Sequence, residues 1–284
     1  MMTVEFLGTG GAISTPRPGC NCRVCVEARE KGMPYSRGGP AVFVHGPNVL
    51  IDTPEEIKEQ LNRSQLPAIV GCFYSHWHPD HTMGRRIWEM NLDWQHWPPQ
   101  HRHTTIYLAQ QVATDFQQRL GIWEHFRYFE DLGIVDVQII GDGQSVIVNG
   151  TRITPFRLAQ DFVYGFLFEQ GGKRLVVVMD EHKGWVPAGA VQNADLLIMP
   201  MGIIEFDLWS GERRIPAGHP ILQTEAHFTE TLEIVRRAGS GRVILTHIEE
   251  AEQLSYDDLR CLEDDLVNQA LPIKFAYDGL TITV

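Results

Sequence analysis

Short apolar runs punctuated by glycine-rich turns alternate along this chain with stretches whose apolar residues recur at helical spacing. That alternation predicts a mixed α/β protein. Positions 4–7 read as a first strand, followed by the turn Gly8-Thr9-Gly10-Gly11. Runs at 41–44 and 49–51 predict a hairpin around Gly46-Pro47-Asn48. Pro54 predicts a helix start, with Glu55 and Glu56 in the first turn where the helix dipole favours acids, running to about position 62. A strand at 68–74, a helix at about 82–91, a strand at 105–108 and a helix at 110–120 follow. The second half predicts strands at 135–140, 145–148, 152–156, 163–168 and 174–179, the early ones separated by Gly141-Asp142-Gly143 and Asn149-Gly150. A strand at 196–199, a helix at 228–237, a strand at 242–245, a helix at 256–268 and closing strands at 273–276 and 280–284 complete the pattern. Two halves, each a sheet covered by helices, predict one domain over residues 1–284, built as a four-layer αββα sandwich.

The segment at about 85–128 stands apart, with Trp88, Trp94, Trp97 and Trp123 and with His96, His101, His103 and His125. It reads as a helical insertion with its own aromatic core, or as an aromatic wall over a substrate. Its histidines lack ligand spacing and are expected at the surface or in a lid.

The formal net charge of -12 weighs against a long nucleic acid as partner, because such partners are bound through basic faces. No apolar run is long enough to span a membrane, and the N-terminus lacks the pattern of a secretory leader, so a cytoplasmic protein is expected. Three of the five cysteines crowd into Cys20-Asn21-Cys22-Arg23-Val24-Cys25, a spacing that suits a metal better than a disulfide framework. Cys72 and Cys261 are expected to be inert core thiols.

The most informative run is His76-Trp77-His78-Pro79-Asp80-His81. Imidazole and carboxylate together suit zinc, manganese or iron. A strand would hold His76 and His78 on one face, and Pro79 would turn the chain so that Asp80 and His81 reach a second ion. Asp180 ends the apolar stretch 175–179, where a carboxylate can bridge two cations, and His247 ends the strand-like Val243-Ile244-Leu245-Thr246. The Gly8–Gly11 turn lets a backbone approach such a site closely.

These residues, with Leu7-Gly8-Thr9-Gly10-Gly11-Ala12, Leu50-Ile51-Asp52, Ile244-Leu245-Thr246-His247 and Tyr277-Asp278-Gly279, resemble the metallo-β-lactamase superfamily. The resemblance is to the branch holding tRNase Z and the phosphoribosyl cyclic phosphate phosphodiesterase, and the cysteine cluster resembles the latter. It implies two divalent ions, with His76 and His78 on the first, Asp80, His81 and His247 on the second, Asp180 bridging, and a shared hydroxide as nucleophile. It also implies catalytic roles for Asp80 and for His227, at the start of a helix, with His219 a weaker rival. A structural zinc at Cys20, Cys22 and Cys25 is implied as well.

Two departures stand out. The family places a further first-metal histidine after the strand at 153–158, where this chain reads Ala159-Gln160-Asp161. Asp161 or Gln160 could ligate through oxygen and favour manganese or iron, His182 could swing in, or the first site could stay weak or empty. The phosphodiesterase also completes its structural zinc with a histidine where this chain has Ile248-Glu249-Glu250, so Glu250 is the candidate fourth ligand.

The expected function is a metal-dependent hydrolase of a small, possibly cyclic, phosphodiester. The alternatives are an ester or lactone hydrolase with an apolar pocket lined by Trp88, Trp94 or Trp97, and a catalytically silent scaffold. A tRNA 3′-end nuclease is disfavoured by the charge. The partner is then a small molecule, with a homodimer possible.

Overall fold

Among the described residues fourteen runs are extended, and their pairing builds two seven-stranded sheets. The computed structural model describes residues 1–100, 102–271 and 273–284. The first sheet contains β1 (Thr3–Gly8), β2 (Ala41–His45), β3 (Val49–Ile51), β4 (Gly71–Phe73), β5 (Thr104–Ala109) and β6 (Val135–Ile140) in sequence order, with β14 (Thr281–Thr283) added beside β1. The second contains β7 (Val146–Val148), β8 (Thr151–Arg157), β9 (Tyr164–Gln170), β10 (Lys173–Val177), β11 (Leu196–Pro200), β12 (Val243–Thr246) and β13 (Ile273–Phe275), also in order.

Each sheet is antiparallel on one side and parallel on the other. Pairs β3–β4, β4–β5 and β5–β6 are parallel, as are β10–β11, β11–β12 and β12–β13. Parallel strands are covered on both faces and read as continuous apolar runs, which is why Leu196–Pro200 and Val243–Thr246 are buried throughout. One core includes Phe6, Phe43, Phe73, Phe166, Phe168 and Leu175 from both sheets. A second lies under the helices Phe228–Ala238 and Tyr256–Asn268, with Val176, Leu197, Leu245, Ile234, Leu259 and Leu262. The result is the four-layer αββα arrangement.

Several elements differ from the expected pattern. The helix Arg23–Lys31 begins within the cysteine cluster, with Cys22 at its N-cap and Cys25 in its first turn, and its polarity hid it. Residues 83–91 form a 3-10 helix, and the run expected at 68–74 is a strand only over Gly71–Phe73. The segment 85–128 is woven into the first sheet. It supplies β5, and Trp88, Phe116 and Phe126 join the main core. Trp94 and Trp97 are exposed at 95% and 71%. His103 is exposed, His96 lies 2.9 Å from Asp93, His125 packs at a tilt against Phe129, and His101 lies outside the described residues. Cys72 is buried as expected, but Cys261 is exposed on the outer side of its helix. No helix among the described residues is long and apolar enough to cross a membrane.

Candidate metal centre

The parallel strands all point their carboxyl ends to one edge of the sandwich, the place where open α/β sheets gather ligands. Asp52 follows β3, His76 to His81 follow β4, Asp180 follows β10, and His247 follows β12. Asp52, Glu181 and His247 adopt left-handed backbone conformations, with φ of 62°, 52° and 53°. Each costs on the order of 1 kcal/mol for a residue with a side chain, and here each turns a functional group back across the strand ends. His76 and His78 lie beyond the end of β4 rather than on it, and Pro79 opens the short helix Pro79–Thr82 that carries Asp80 and His81.

One oxygen organises the cluster. Asp180 Oδ2 lies 3.7 Å from His76 Nε2, 3.6 Å from His81 Nε2 and 3.5 Å from His247 Nε2. Asp80 Oδ2 lies 3.2 Å from His81 Nε2 and 3.5 Å from His247 Nε2. Ligand atoms about 2.1 Å from one tetrahedral ion sit roughly 3.4 Å apart, so these spacings are those of atoms facing a shared cation. The ligand atoms fall into two overlapping groups, His76 with His78 and Asp180, and Asp80 with His81, Asp180 and His247.

The hydrogen bonding agrees with this. His76 Nε2, His81 Nε2, His247 Nε2 and Asp80 Oδ2 are all buried and none has a hydrogen-bond partner. Four buried orphans converging on one place are costly unless a cation satisfies them. Burial pushes the imidazole of His76 well below its usual range, with the neighbouring His81 adding to the effect. Burial opposes a proton on His247 too, but Asp180 and Asp80 outweigh it and raise this group to about 9. Against the same burial, the charges of His81 and His247 hold Asp80 far below the carboxylate range. The centre is a concentration of negative potential, and the donor set fits divalent metal.

Support comes from behind. Asp52 is fully buried and its Oδ2 accepts from His81 Nδ1 at 2.7 Å. Ser75 donates to the same carboxylate through its backbone N–H at 2.8 Å and its hydroxyl at 2.7 Å, and that hydroxyl lies 3.0 Å from His76 Nδ1. Leu50-Ile51-Asp52 was legible as a motif, but Asp52's partner was not. Gly11 is where the Gly-rich turn meets the centre. A Cβ there would fall 2.5 Å from His247 Cε1 and 2.3 Å from Glu249 Oε1.

The position vacated by the expected histidine is filled indirectly. Asp161 is exposed, and its backbone carbonyl accepts from Arg157, so it is not brought to the ions. His182 is buried but its Nε2 is engaged by Thr231 Oγ1 at 2.6 Å. Gln160 donates to Glu181 Oε2, and Glu181 Oε1 lies 3.6 Å from His78 Nδ1. None of the three substitutes weighed from sequence enters either ligand group among the described residues. Sequence reasoning missed Glu181, which adjoins Asp180. His227 is not brought to the centre either. It caps the helix Phe228–Ala238, with Nδ1 3.3 Å from Glu205 and Nε2 3.3 Å from the Leu222 carbonyl. His219 is exposed.

Glu250 lies against the cysteine cluster. Its Oε1 lies 3.3 Å from Cys20 Sγ, 2.9 Å from Cys22 Sγ and 3.3 Å from Cys25 Sγ. Burial pushes the Cys25 thiol up to about 12, so a cation must displace a proton there. All five cysteines are free thiols.

A family model described as a beta-lactamase superfamily domain matches residues 47–248. The chain belongs to that superfamily. Solved structures with this fold include a diphosphatase of the PhnP family, 21% identical, covering 100% of this chain and 98% of its own, at a TM-score of 0.71. Zinc-bound PqqB from Methylobacterium extorquens is 18% identical over 99% of this chain and 100% of its own, with a TM-score of 0.67. The short form of human tRNase Z is 20% identical over 99% of both chains, with a TM-score of 0.63. A search of curated proteins finds no sequence match.

Proposed function

We propose that this β-lactamase superfamily member is a metal-dependent hydrolase, and that its substrate is a small phosphodiester. The observation that carries the reading is Asp180 Oδ2, one carboxylate oxygen facing three otherwise unpaired imidazole nitrogens. His76, His78 and Asp180 would hold one ion, and Asp80, His81, Asp180 and His247 the other. Two such cations lower the pKa of water and steady a leaving oxygen. Asp52 would keep the His81 ring in the tautomer whose Nε2 faces the centre, and Ser75 would do the same for His76. The cysteine zinc would pin residues 12–25 against the loop after β12. A diphosphatase of the PhnP family shares this fold, and fold by itself does not fix the substrate.

A second reading, cleavage of a carboxylic ester or lactone, is favoured by the cavity beside the centre. Isoleucines wall it, and neither Trp88, Trp94 nor Trp97 lines it, contrary to the aromatic pocket expected from sequence.

The test is turnover of a panel of phosphodiesters, esters and lactones by protein supplied with zinc, manganese or iron. Phosphodiester turnover abolished by His78→Ala and by Asp180→Ala is the expected result. Ester turnover alone would favour the second reading, and no turnover on any of them would overturn both in favour of a silent scaffold.

A further inference from the structure

The cavity beside the metal centre has a volume of about 280 Å³ and opens over His78, Asp80, Asp180 and His247. At its floor the His247 side chain is nine-tenths buried and its Nε2 is unpartnered, so the cavity and the metal centre are one site. Beyond the floor its walls are of two kinds. Ile13, Ile203, Ile215 and Ile221 supply apolar surface. Glu181, Glu225, Glu249 and Glu252 supply carboxylates, and no Lys or Arg lines it among the described residues.

The nearby cations are spent elsewhere. Lys183 Nζ donates to the backbone carbonyls of Leu222 and Glu225 at 2.9 and 3.0 Å. Arg214 is close enough to influence Glu252 but does not line the cavity. Two of the glutamates are held in place by backbone donors. Glu249 accepts from Ala12 N and Ile13 N at 3.0 and 2.7 Å, and Glu252 accepts from Ile204 N at 2.8 Å. Glu225 receives no side-chain hydrogen bond among the described residues. The four glutamates form no ligand group of their own, so they do not close on one small ion.

We propose that this cavity takes a cationic, partly apolar arm of the substrate, an alkylammonium group. The inference rests on the hydrolase reading for where the scissile bond lies, and it adds what the non-reacting end must be. Carboxylates spread over an isoleucine-walled space suit a bulky organic cation, which needs diffuse charge and apolar contact together. Beyond the metal ligands, a second phosphate or a carboxylate beside Glu225, Glu249 and Glu252 would meet like charge with no Lys or Arg side chain lining the cavity among the described residues, which disfavours anionic arms.

The experiment compares p-nitrophenyl phosphorylcholine with its uncharged carbon isostere, p-nitrophenyl 3,3-dimethylbutyl phosphate, on metal-loaded wild type and Glu225→Gln. Binding of free choline and of 3,3-dimethylbutanol is measured alongside by calorimetry. The expected result is a preference of about tenfold or more in kcat/KM for the choline ester, reduced toward unity in Glu225→Gln. Equal cleavage of both, or faster cleavage of the isostere, overturns the cationic arm and leaves the hydrolase reading standing. If neither ester is cleaved but choline binds, and binds more weakly to Glu225→Gln, the phosphodiester reading falls and the cavity inference holds. If neither ester is cleaved and choline does not bind, the inference is overturned.

Discussion

Asp52 Oδ2 lies 2.7 Å from Nδ1 of His81, and both side chains are fully buried. The other oxygen accepts from Ser75 N, so each carboxylate oxygen faces a donor. An amide at this position puts an N–H against one of those donors whichever way it is flipped. Asp52→Asn is expected to fold and to lose roughly 10- to 100-fold in affinity for the second ion, the scale typical of partners behind a ligating histidine. Calorimetric metal titration checks this, and an unchanged affinity would remove Asp52 from the site.

Gly11 sets a second test. Its Cβ would fall 2.6 Å from His247 Nδ1, so Gly11→Ala must displace the imidazole or the turn. The expected cost is about 1–3 kcal/mol of stability, as for other overpacked positions, together with lower occupancy of the second site. Thermal unfolding and elemental analysis report the two effects separately.

The loop after β8 gives a prediction with a contrast. Asp161→Ala should leave metal content unchanged, because that side chain is exposed. Glu181→Ala removes the carboxylate beside His78 and should weaken the first ion. Elemental analysis of both variants after equal dialysis decides it, and loss of metal in Asp161→Ala would restore the oxygen-ligand reading of that residue.

The cysteine site should be separable from the ligand cluster at the strand ends. Cys22→Ser or Glu250→Ala is expected to reduce bound zinc by about one ion per chain and to release the N-terminal loop. Hydrogen exchange would then rise across residues 12–25 and 248–253. Exchange rising instead at 76–81 would show that the two sites are not independent.

Glu225 carries a pH prediction. In the metal-free protein its carboxyl is raised from about 4.5 to about 7, so folding favours the protonated form. The stability this contributes is fully present below the unfolded value and is lost as pH rises through the folded one. Asp180, Glu181 and Glu249 face it with negative charge, while His247 and Lys183 oppose them. The thermal midpoint should therefore fall between about pH 4.5 and 7, and less steeply in Glu225→Gln.

Much of this protein was legible before any tertiary contact was known. The buried strands announced themselves as apolar runs, and His76 to His81, Asp180 and His247 stood at strand ends where ligands gather. The cysteine cluster stood out by its spacing, and Glu250 was a candidate beside it only through the resemblance to the phosphodiesterase. What failed did so for local reasons. The helix Arg23–Lys31 is too polar to signal itself, and the tryptophans at 88–97 carry no mark that distinguishes a core residue from a lid.

By itself the sequence determined residue type and period, which suffice for a two-sheet sandwich and a concentration of metal ligands at one edge. Only the tertiary structure decided which atoms face each other. Asp52 meets His81 and Gln160 reaches Glu181, His227 turns to Glu205, and the glutamates at 181, 225, 249 and 252 share one cavity. The three pairings join residues 21 to 29 positions apart through strand-end turns and sheet register. Periodicity along a chain carries no information about the direction in which a side chain leaves such a turn.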